Sequence, residues 1–122
     1  MTEQRQTLGR WGEEQAVDHL RRQGLKILER NYRCPAGEID IIARDRTWLI
    51  FAEVKTRSSV AFGLPQEAVG LRKQQQIIRT AQHYLQAHGG GRLQPRFDVI
   101  AVLRQRDGTS IIHHLPHAFE LH

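Results

Sequence analysis

Cysteine is almost absent from this chain of 122 residues, and long apolar segments are missing. The one cysteine, Cys34, excludes a framework of internal disulfides and a zinc site built from cysteines. The longest apolar runs, at 48–52 and 99–103, are far shorter than the roughly 20 residues of a membrane-spanning helix. The first residues also lack the apolar stretch of a signal peptide. We therefore expect one cytoplasmic domain over residues 1–122, with no membrane partner.

Lysine is scarce as well. Only Lys26, Lys55 and Lys73 are lysines among the 18 basic residues, and the others are all arginine. With 13 acidic residues the formal net charge is +5. The planar arginine side chain matches phosphate oxygens with two hydrogen bonds, so an arginine-rich basic domain favours a polyanion, and nucleic acid first. Charge alone is weak evidence, because many basic proteins bind no polyanion.

Apolar periodicity and turn residues predict two helices and five strands. The first helix should cover residues 7–23 and end at Gly24, and the second should cover 66–87, with Pro65 in its first turn and a break near Gly70. The predicted strands are 25–33, 38–43, 48–56, 96–103 and 110–115, with turns at 35–37, 44–47 and Asp107-Gly108. The order α-β-β-β-α-β-β predicts an α/β fold with a mixed sheet flanked by helices, and the third, most apolar strand should be central.

Charged side chains interrupt the second and third predicted strands. Residues two apart share a face of a strand, so Glu53 and Lys55 point the same way. A hairpin turning at 44–47 brings Asp40 opposite Glu53. Two carboxylates aimed at one point, with a backbone carbonyl nearby, form an oxygen-rich site for Mg²⁺ or Mn²⁺. A lysine beside them suits metal-assisted phosphodiester hydrolysis. The alternative is an ion pair of Lys55 with Glu53 or Asp40 and no chemistry.

Asp40 followed by Glu53-x-Lys55, on adjoining strands after an N-terminal helix, resembles the PD-(D/E)XK nuclease superfamily. The chain is more closely similar to the YraN-like family of uncharacterised bacterial proteins, which is related to archaeal-type Holliday-junction resolvases. The stretches that carry this resemblance are Gly12-Glu13, Arg30-Asn31-Tyr32-Arg33, Gly37-Glu38-Ile39-Asp40, Phe51-Ala52-Glu53-Val54-Lys55-Thr56-Arg57, Phe62-Gly63, Lys73 and Arg96-Phe97-Asp98-Val99. Ile39 stands where the superfamily's name has proline.

The resemblance implies a restriction-endonuclease-like core and a set of roles. Asp40 and Glu53 would be metal ligands, Val54 would supply a carbonyl ligand, and Lys55 would be the catalytic lysine. Glu13 resembles the helix glutamate that approaches the metal in resolvase relatives. Resolvases cut two symmetric strands as dimers, so the analogy also implies a homodimer.

Several other residues have two interpretations each. Arg57, Arg72 and Lys73 are candidates for contacts with DNA phosphates, although the helix residues among them also fit a solvated face. Asp98 and Glu38 are further acids near the expected site, and we expect Asp98 to pair with Arg96 or another base.

Zinc binding by His113, His114 and His117 is disfavoured, because neighbouring strand residues point to opposite faces. Trp11 and Trp48 are expected in the core.

Three hypotheses follow from the sequence. The first is a metal-dependent endonuclease acting on DNA, with branched or structured DNA as a candidate substrate. The second is a nucleic-acid-binding module that does not cut, which explains the charge but not acids placed where phosphates approach. The third is an interaction protein in which Asp40, Glu53 and Lys55 form a buried ion network. Divalent-metal binding separates the first from the others.

Overall fold

The computed structural model describes residues 2–58 and 69–120, with side chains from Thr7 onward. These parts of the chain form two helices and five strands in the expected order α-β-β-β-α-β-β. They are α1 (Thr2–Arg22), β1 (Lys26–Cys34), β2 (Gly37–Arg44), β3 (Trp48–Arg57), α2 (Leu71–His88), β4 (Gln94–Arg104) and β5 (Ser110–Phe119). The predicted α/β class, a mixed sheet flanked by helices, is confirmed, and it is consistent with a restriction-endonuclease-like core.

The five strands form one sheet in the order β1-β2-β3-β4-β5. Neighbouring strands are antiparallel except β3 and β4, which are parallel. Parallel strands cannot be joined by a tight turn, and α2 lies in the connection between them. The two helices cover opposite faces of the sheet. Residues of α1 pack with one core cluster and residues of α2 with the other.

Strand β3 is the centre of the sheet, as its apolar sequence predicts. Leu49 and Phe51 are buried on the α2 side, and Ile50 and Ala52 are buried on the α1 side. None of these four side chains is more than 1% exposed. A strand covered on both faces has no polar face, which explains its continuous apolar start.

The ends of the helices differ in part from the prediction. Helix α1 begins at Thr2 rather than residue 7, and it ends near Gly24, whose φ of 86° suits the predicted capping role. Helix α2 begins at Leu71, directly after the extended Gly70, so the expected break near Gly70 is the start of the helix. The predicted helical residues 66–68, Pro65 and Phe62-Gly63 lie outside the described residues. Within the described ranges, neither helix is long and apolar enough to cross a membrane.

Strand β5 extends to Phe119, four residues past its predicted end at 115. It is an edge strand, and Pro116 lies in the irregular stretch of its ladder with β4, between the pairs of Leu115 and Phe119, where proline is tolerated. The predicted turn at Asp107-Gly108 is confirmed: Gly108 has a φ of 87°, and Asp107 accepts the N–H of Thr109.

A buried carboxylate on β4 ties three elements together. Asp98 is fully buried and accepts two hydrogen bonds from Arg96, at 2.9 and 2.8 Å, so the expected pairing is confirmed. His114 of β5 bonds the same carboxylate at 2.6 Å, and its other ring nitrogen lies 3.1 Å from His19 of α1. Burial alone would raise the pKa of Asp98, but the hydrogen bonds from His114 and Arg96 hold it below its usual value. The network is structural.

Trp11 and Trp48 pack against the core cluster on the α1 side, as expected, but both rings stay partly exposed. Arg104 lies over the Trp11 ring at 5.2 Å, and Arg96 lies over the Trp48 ring at 5.7 Å. Cations over the ring faces stabilise this arrangement, so the tryptophans join the core to its charged rim.

The approach of α1 to β3 depends on a glycine. Gly12 is buried, and a Cβ added there would overlap the Thr56 side chain. Gly9, one turn earlier in the same helix, has open space around it. Because only Gly12 lies at the helix–strand contact, its missing side chain sets the distance between α1 and the third strand.

We predict that alanine at these two glycines has opposite effects on stability. Gly9→Ala should raise the free energy of unfolding by about 0.5–1 kcal/mol, since alanine is the better helix former. Gly12→Ala should lower it by about 1–3 kcal/mol, since the added methyl group forces α1 away from β3. Urea unfolding followed by circular dichroism measures both. Equal effects of the two substitutions would contradict the close contact.

Candidate active site

The β2–β3 ladder ends at Ile41, one residue short of Asp40. Its pairs run from Arg44–Leu49 to Ile41–Ala52, which is the register predicted for the hairpin, and the next residues along it are Asp40 and Glu53. Ile41 packs on the α1 side, whereas Ile39 packs on the α2 side, so the regular alternation of the strand breaks between them. The Asp40 carboxylate accepts the Val54 N–H at 2.7 Å, which fixes its position beside β3.

Glu53 is buried, with 7% of its surface exposed. Burial, and then the negative charge of Asp40, raise the pKa of Glu53 from its ordinary value of 4.5 to about 7. The pKa of Asp40 is also raised, first by burial, although the Val54 N–H opposes the shift. Because two neighbouring carboxylates repel each other, a proton or a cation between them is favourable.

Two lysines supply part of the positive charge that these carboxylates favour. Lys55 Nζ lies 3.6 Å from Glu53 Oε1, and Lys73 Nζ of α2 lies 3.8 Å from the same oxygen. Both charges lower the pKa of Glu53 and of Asp40, but burial outweighs them. The distances exceed those of a direct charged hydrogen bond, about 2.7–2.9 Å. The carboxylates are therefore only partly neutralised.

Glu13 of α1 faces the same region from the other helix. Burial raises the pKa of Glu13, the negative charge of Asp40 raises it further, and a hydrogen bond from Asn31 lowers it. Glu13 and Asp40 thus interact electrostatically across the gap between α1 and β2, and an approach of Glu13 to a metal stays a prediction. In the described part of the chain no three His, Cys, Asp or Glu side chains form a group that could hold a metal. The donors brought together are thus Asp40, Glu53 and the adjoining backbone of Val54.

The predicted DNA-contacting residues lie on two elements, Arg57 on β3 and Arg72 and Lys73 on α2. Arg57 is exposed at the end of β3, where it donates a hydrogen bond to the carbonyl of Thr56 at 3.1 Å. Arg72 is exposed in the first turn of α2, next to Lys73. Lys73 Nζ lies 3.8 Å from Glu53 Oε1 while its side chain stays partly exposed, and the contact of both helix residues with DNA phosphates stays a prediction.

The remaining candidates have partners of their own. Glu38 forms an ion pair with Arg33 at 3.0 Å on the surface, and its negative charge also contributes to raising the pKa of Asp40 and of Glu13. His114 bonds Asp98. Sequence reasoning missed Asn31, the hydrogen-bond partner of Glu13. The signal in the sequence was an asparagine within a predicted strand, since asparagine tolerates a left-handed backbone better than most residues. The structure has this conformation there, with a φ of 54° at Asn31 inside β1.

We predict that Glu53→Gln changes how stability depends on pH. The folded state binds the Glu53 proton more tightly than the unfolded state, so ionisation costs stability as pH rises from 4.5 to about 7. Glutamine cannot ionise. Urea unfolding in metal-free buffer measures the free energy of unfolding of both proteins. Between pH 4.5 and pH 8, the value for the variant should rise relative to the wild type by on the order of 3 kcal/mol, at about 1.4 kcal/mol per pKa unit.

The control is Glu38→Gln, because that carboxylate is exposed to water. Its unfolding free energy should follow the wild type within about 0.5 kcal/mol across the same range. A constant difference between Glu53→Gln and the wild type at every pH would contradict the burial of an uncompensated carboxylate.

Comparison with known sequences places the chain among related proteins. The model of "Uncharacterised protein family UPF0102" matches residues 12–102, a span that includes Glu13, Asp40, Glu53 and Lys55. A UPF0102 protein of Syntrophotalea carbinolica is 58% identical over 121 residues, 99% of this chain and 98% of the relative. A UPF0102 protein of Trichlorobacter lovleyi is 50% identical over 117 residues, 95% of this chain and 92% of the relative. The YraN-like motifs thus indicated the correct family, and the chain belongs to the uncharacterised protein family UPF0102.

Proposed function

We propose that this protein is a metal-dependent endonuclease that hydrolyses phosphodiester bonds in DNA, including branched or structured DNA. The observation that carries the proposal is the pair Asp40 and Glu53. Two acids are held together in a largely buried position, where the Glu53 pKa is raised to about 7 and two lysines only partly neutralise them. Buried acids with a raised pKa are typical of catalytic and cation-binding sites. A DNA substrate would place the protein in the cytoplasm.

The donor atoms suit Mg²⁺ or Mn²⁺ better than a softer metal. Asp40 and Glu53 offer carboxylate oxygens, Val54 offers a backbone carbonyl, and neither cysteine nor histidine is part of this set. Mg²⁺ keeps several waters and often uses one or two carboxylates, so two acids are sufficient. Glu13 would act as an outer acid from α1. When bound, the metal supplies a Lewis acid and lowers the pKa of bound water.

The chain's own residues would perform the remaining tasks. Asp40 and Glu53 hold and orient the cation. Lys55 keeps a positive charge beside Glu53, where it can offset the negative charge that develops on the phosphate in the transition state. Lys73 reaches the same carboxylate from α2 and adds a second positive charge. The buried apolar core behind Glu53 limits water on that side and strengthens these interactions.

DNA would be bound by the positive groups around the acids. Arg57 and Arg72 are exposed, and Lys73 follows Arg72 in the chain. The net charge of +5 supports binding that is sensitive to salt and largely independent of sequence. A branched substrate presents two symmetric strands, so the proposal includes a homodimer as the cutting form.

The competing function is a non-catalytic nucleic-acid-binding module. The ion pairs of Glu53 with Lys55 and Lys73 favour it to a limited degree, because they give the acids a structural partner. It does not explain why the acids are incompletely neutralised. A folded protein that binds DNA, binds no divalent metal and cuts nothing would support this alternative.

We predict that Mg²⁺ or Mn²⁺ raises the Tm of the protein, because a ligand of the folded state stabilises it by mass action. The shift should be larger at pH 8 than at pH 6. The Glu53 pKa is about 7, and its proton must leave before the carboxylate can hold a cation. A metal titration followed by thermal unfolding at both pH values measures this.

Asp40→Asn should abolish the metal-induced shift, and Glu38→Gln should retain it. Glu38 is the matched control because it is an acid two residues away on the same strand, paired with Arg33 at the surface. A shift that survives in Asp40→Asn would place the metal elsewhere.

We predict that Lys55→Ala lowers the cleavage rate by a factor of about 10²–10³ and leaves most DNA binding in place. The lysine's charge matters most where negative charge develops, whereas many arginines share binding of the ground state. The assay uses single-stranded, duplex, flapped and four-way-junction DNA with Mg²⁺ or Mn²⁺. Glu53→Gln should lose both cleavage and the metal-induced Tm shift.

Lys26→Ala is the control for this experiment, since Lys26 is an exposed lysine at the start of β1. It should cut at the wild-type rate. Equal cleavage by Lys55→Ala and the wild type would mean that the activity is a contaminant or that the site is wrong. No cleavage by the wild type on any substrate would leave the binding module as the function.

A further inference from the structure

A second site candidate lies away from the carboxylates. A cavity of about 390 Å³ opens where β3 begins, with Leu49 and Tyr84 among its lining residues. Its charged lining consists of arginines from three segments: Arg44 at the end of β2, Arg46 in the β2–β3 turn and Arg92 after α2. His88 lines it too, and no acidic side chain does. The cavity is therefore rich in hydrogen-bond donors and positive charge.

These arginines are not neutralised by nearby acids. Among the side chains of residues 7–58 and 69–120, no carboxylate forms an ion pair with Arg44, Arg46 or Arg92. Asp45 stands between Arg44 and Arg46 in the chain, but its Oδ1 accepts the N–H groups of Thr47 and Trp48, at 2.8 and 2.7 Å. The Asp45 carboxylate thus shapes the turn and neutralises neither arginine, although Arg44 Nε donates one hydrogen bond to the backbone carbonyl of Asp45 at 3.2 Å.

The loop after α2 lines the same cavity with three glycines, Gly89, Gly90 and Gly91. Gly89 and Gly91 have φ values of 73° and 56°, which glycine adopts without strain. The N–H of Gly89 bonds the carbonyl of Leu85 and that of Leu93 bonds the carbonyl of Gly90, so both donors are used within the protein. The loop turns the chain at the end of α2 and brings Arg92 to the cavity.

We propose that this cavity binds a phosphate group, supplied either by the backbone of a nucleic acid strand or by a free phosphate compound. The guanidinium group pairs with phosphate oxygens through two parallel hydrogen bonds, and three such groups from separate segments converge here. The volume of about 390 Å³ has room for a ligand larger than a single phosphate group. Uncompensated charge of one sign is the feature that a phosphate would neutralise.

The site is separate from the proposed catalytic centre but lies on the same face of the sheet. Leu49 and Glu53 both face the α2 side, four residues apart along β3, which corresponds to about 13 Å at ~3.3 Å per residue. The phosphate site does not require that the protein cut DNA.

The test compares two double variants that remove the same charge. Arg46→Ala/Arg92→Ala alters the cavity, and Arg21→Ala/Arg106→Ala removes two exposed arginines outside it. Binding of a short duplex is measured by fluorescence anisotropy at several salt concentrations in EDTA, so that no cleavage contributes. The log-affinity against log-salt slope should become shallower by about 0.9 for each lost phosphate contact in the cavity variant. In the control it should change by less than half of that.

Inorganic phosphate is the second probe, with Tm as the measurement. A Tm rise in the wild type and in the control, absent from the cavity variant, supports the site and identifies free phosphate as a sufficient ligand. A cavity-specific change with DNA alone supports the site and identifies a nucleic acid strand as its ligand. If the slope for DNA becomes shallower by the same amount in both double variants, net charge alone explains the effect, and the proposal is overturned. No response to either probe would overturn it as well.

Discussion

The burial of β3 on both faces is the constraint on which the other elements depend. A strand with no solvated face needs a cover on each side, and α1 and α2 supply these covers through separate core clusters. Its parallel pairing with β4 requires a crossover connection, which contains α2. Gly12 permits the close contact on the α1 side. The same enclosure carries Glu53 into surroundings where its charge is costly.

This cost explains the electrostatics of the candidate site. Glu53 follows four buried apolar residues without a break, so its carboxylate leaves bulk water while the chain continues as a strand. Asp40 is fixed beside it because the ladder ends one residue short of that position and the Val54 N–H takes the carboxylate as its acceptor. Lys55 and Lys73 reduce the repulsion without removing it. A cation between the two acids would lower the free energy further, which is the physical basis of the proposed metal site.

Charge is distributed unevenly among the buried and half-buried groups. Asp98 is fully matched, with two hydrogen bonds from Arg96 and one from His114, and it joins β4 to β5. At the Asp40–Glu53 pair, the positive charge of the lysines does not balance the carboxylates. The cavity at Leu49 has an excess of positive charge, because arginines line it and no acidic side chain does. Unmatched charge of opposite sign at two places on one face suits a polyanionic ligand that reaches one place through a cation and the other directly.

Short-range patterns in the sequence determined the order of the elements, the central position of the 48–56 strand and the hairpin register near Asp40. Apolar spacing, glycine and turn residues act over a few neighbours, so they can be interpreted without the fold. The grouping of Asp40, Glu53 and Lys55 follows from that register, and it was predictable for this reason.

Only the tertiary structure decided the properties that depend on distant segments. The raised pKa of Glu53 comes from burial by the assembled core, and Lys73 meets Glu53 because α2 packs across the sheet. His19 and His114, 95 residues apart in the chain, meet through the packing of α1 against the strands. Desolvation and long-range contacts depend on where every other segment lies. No local pattern encodes them, because their strength is set by the whole fold.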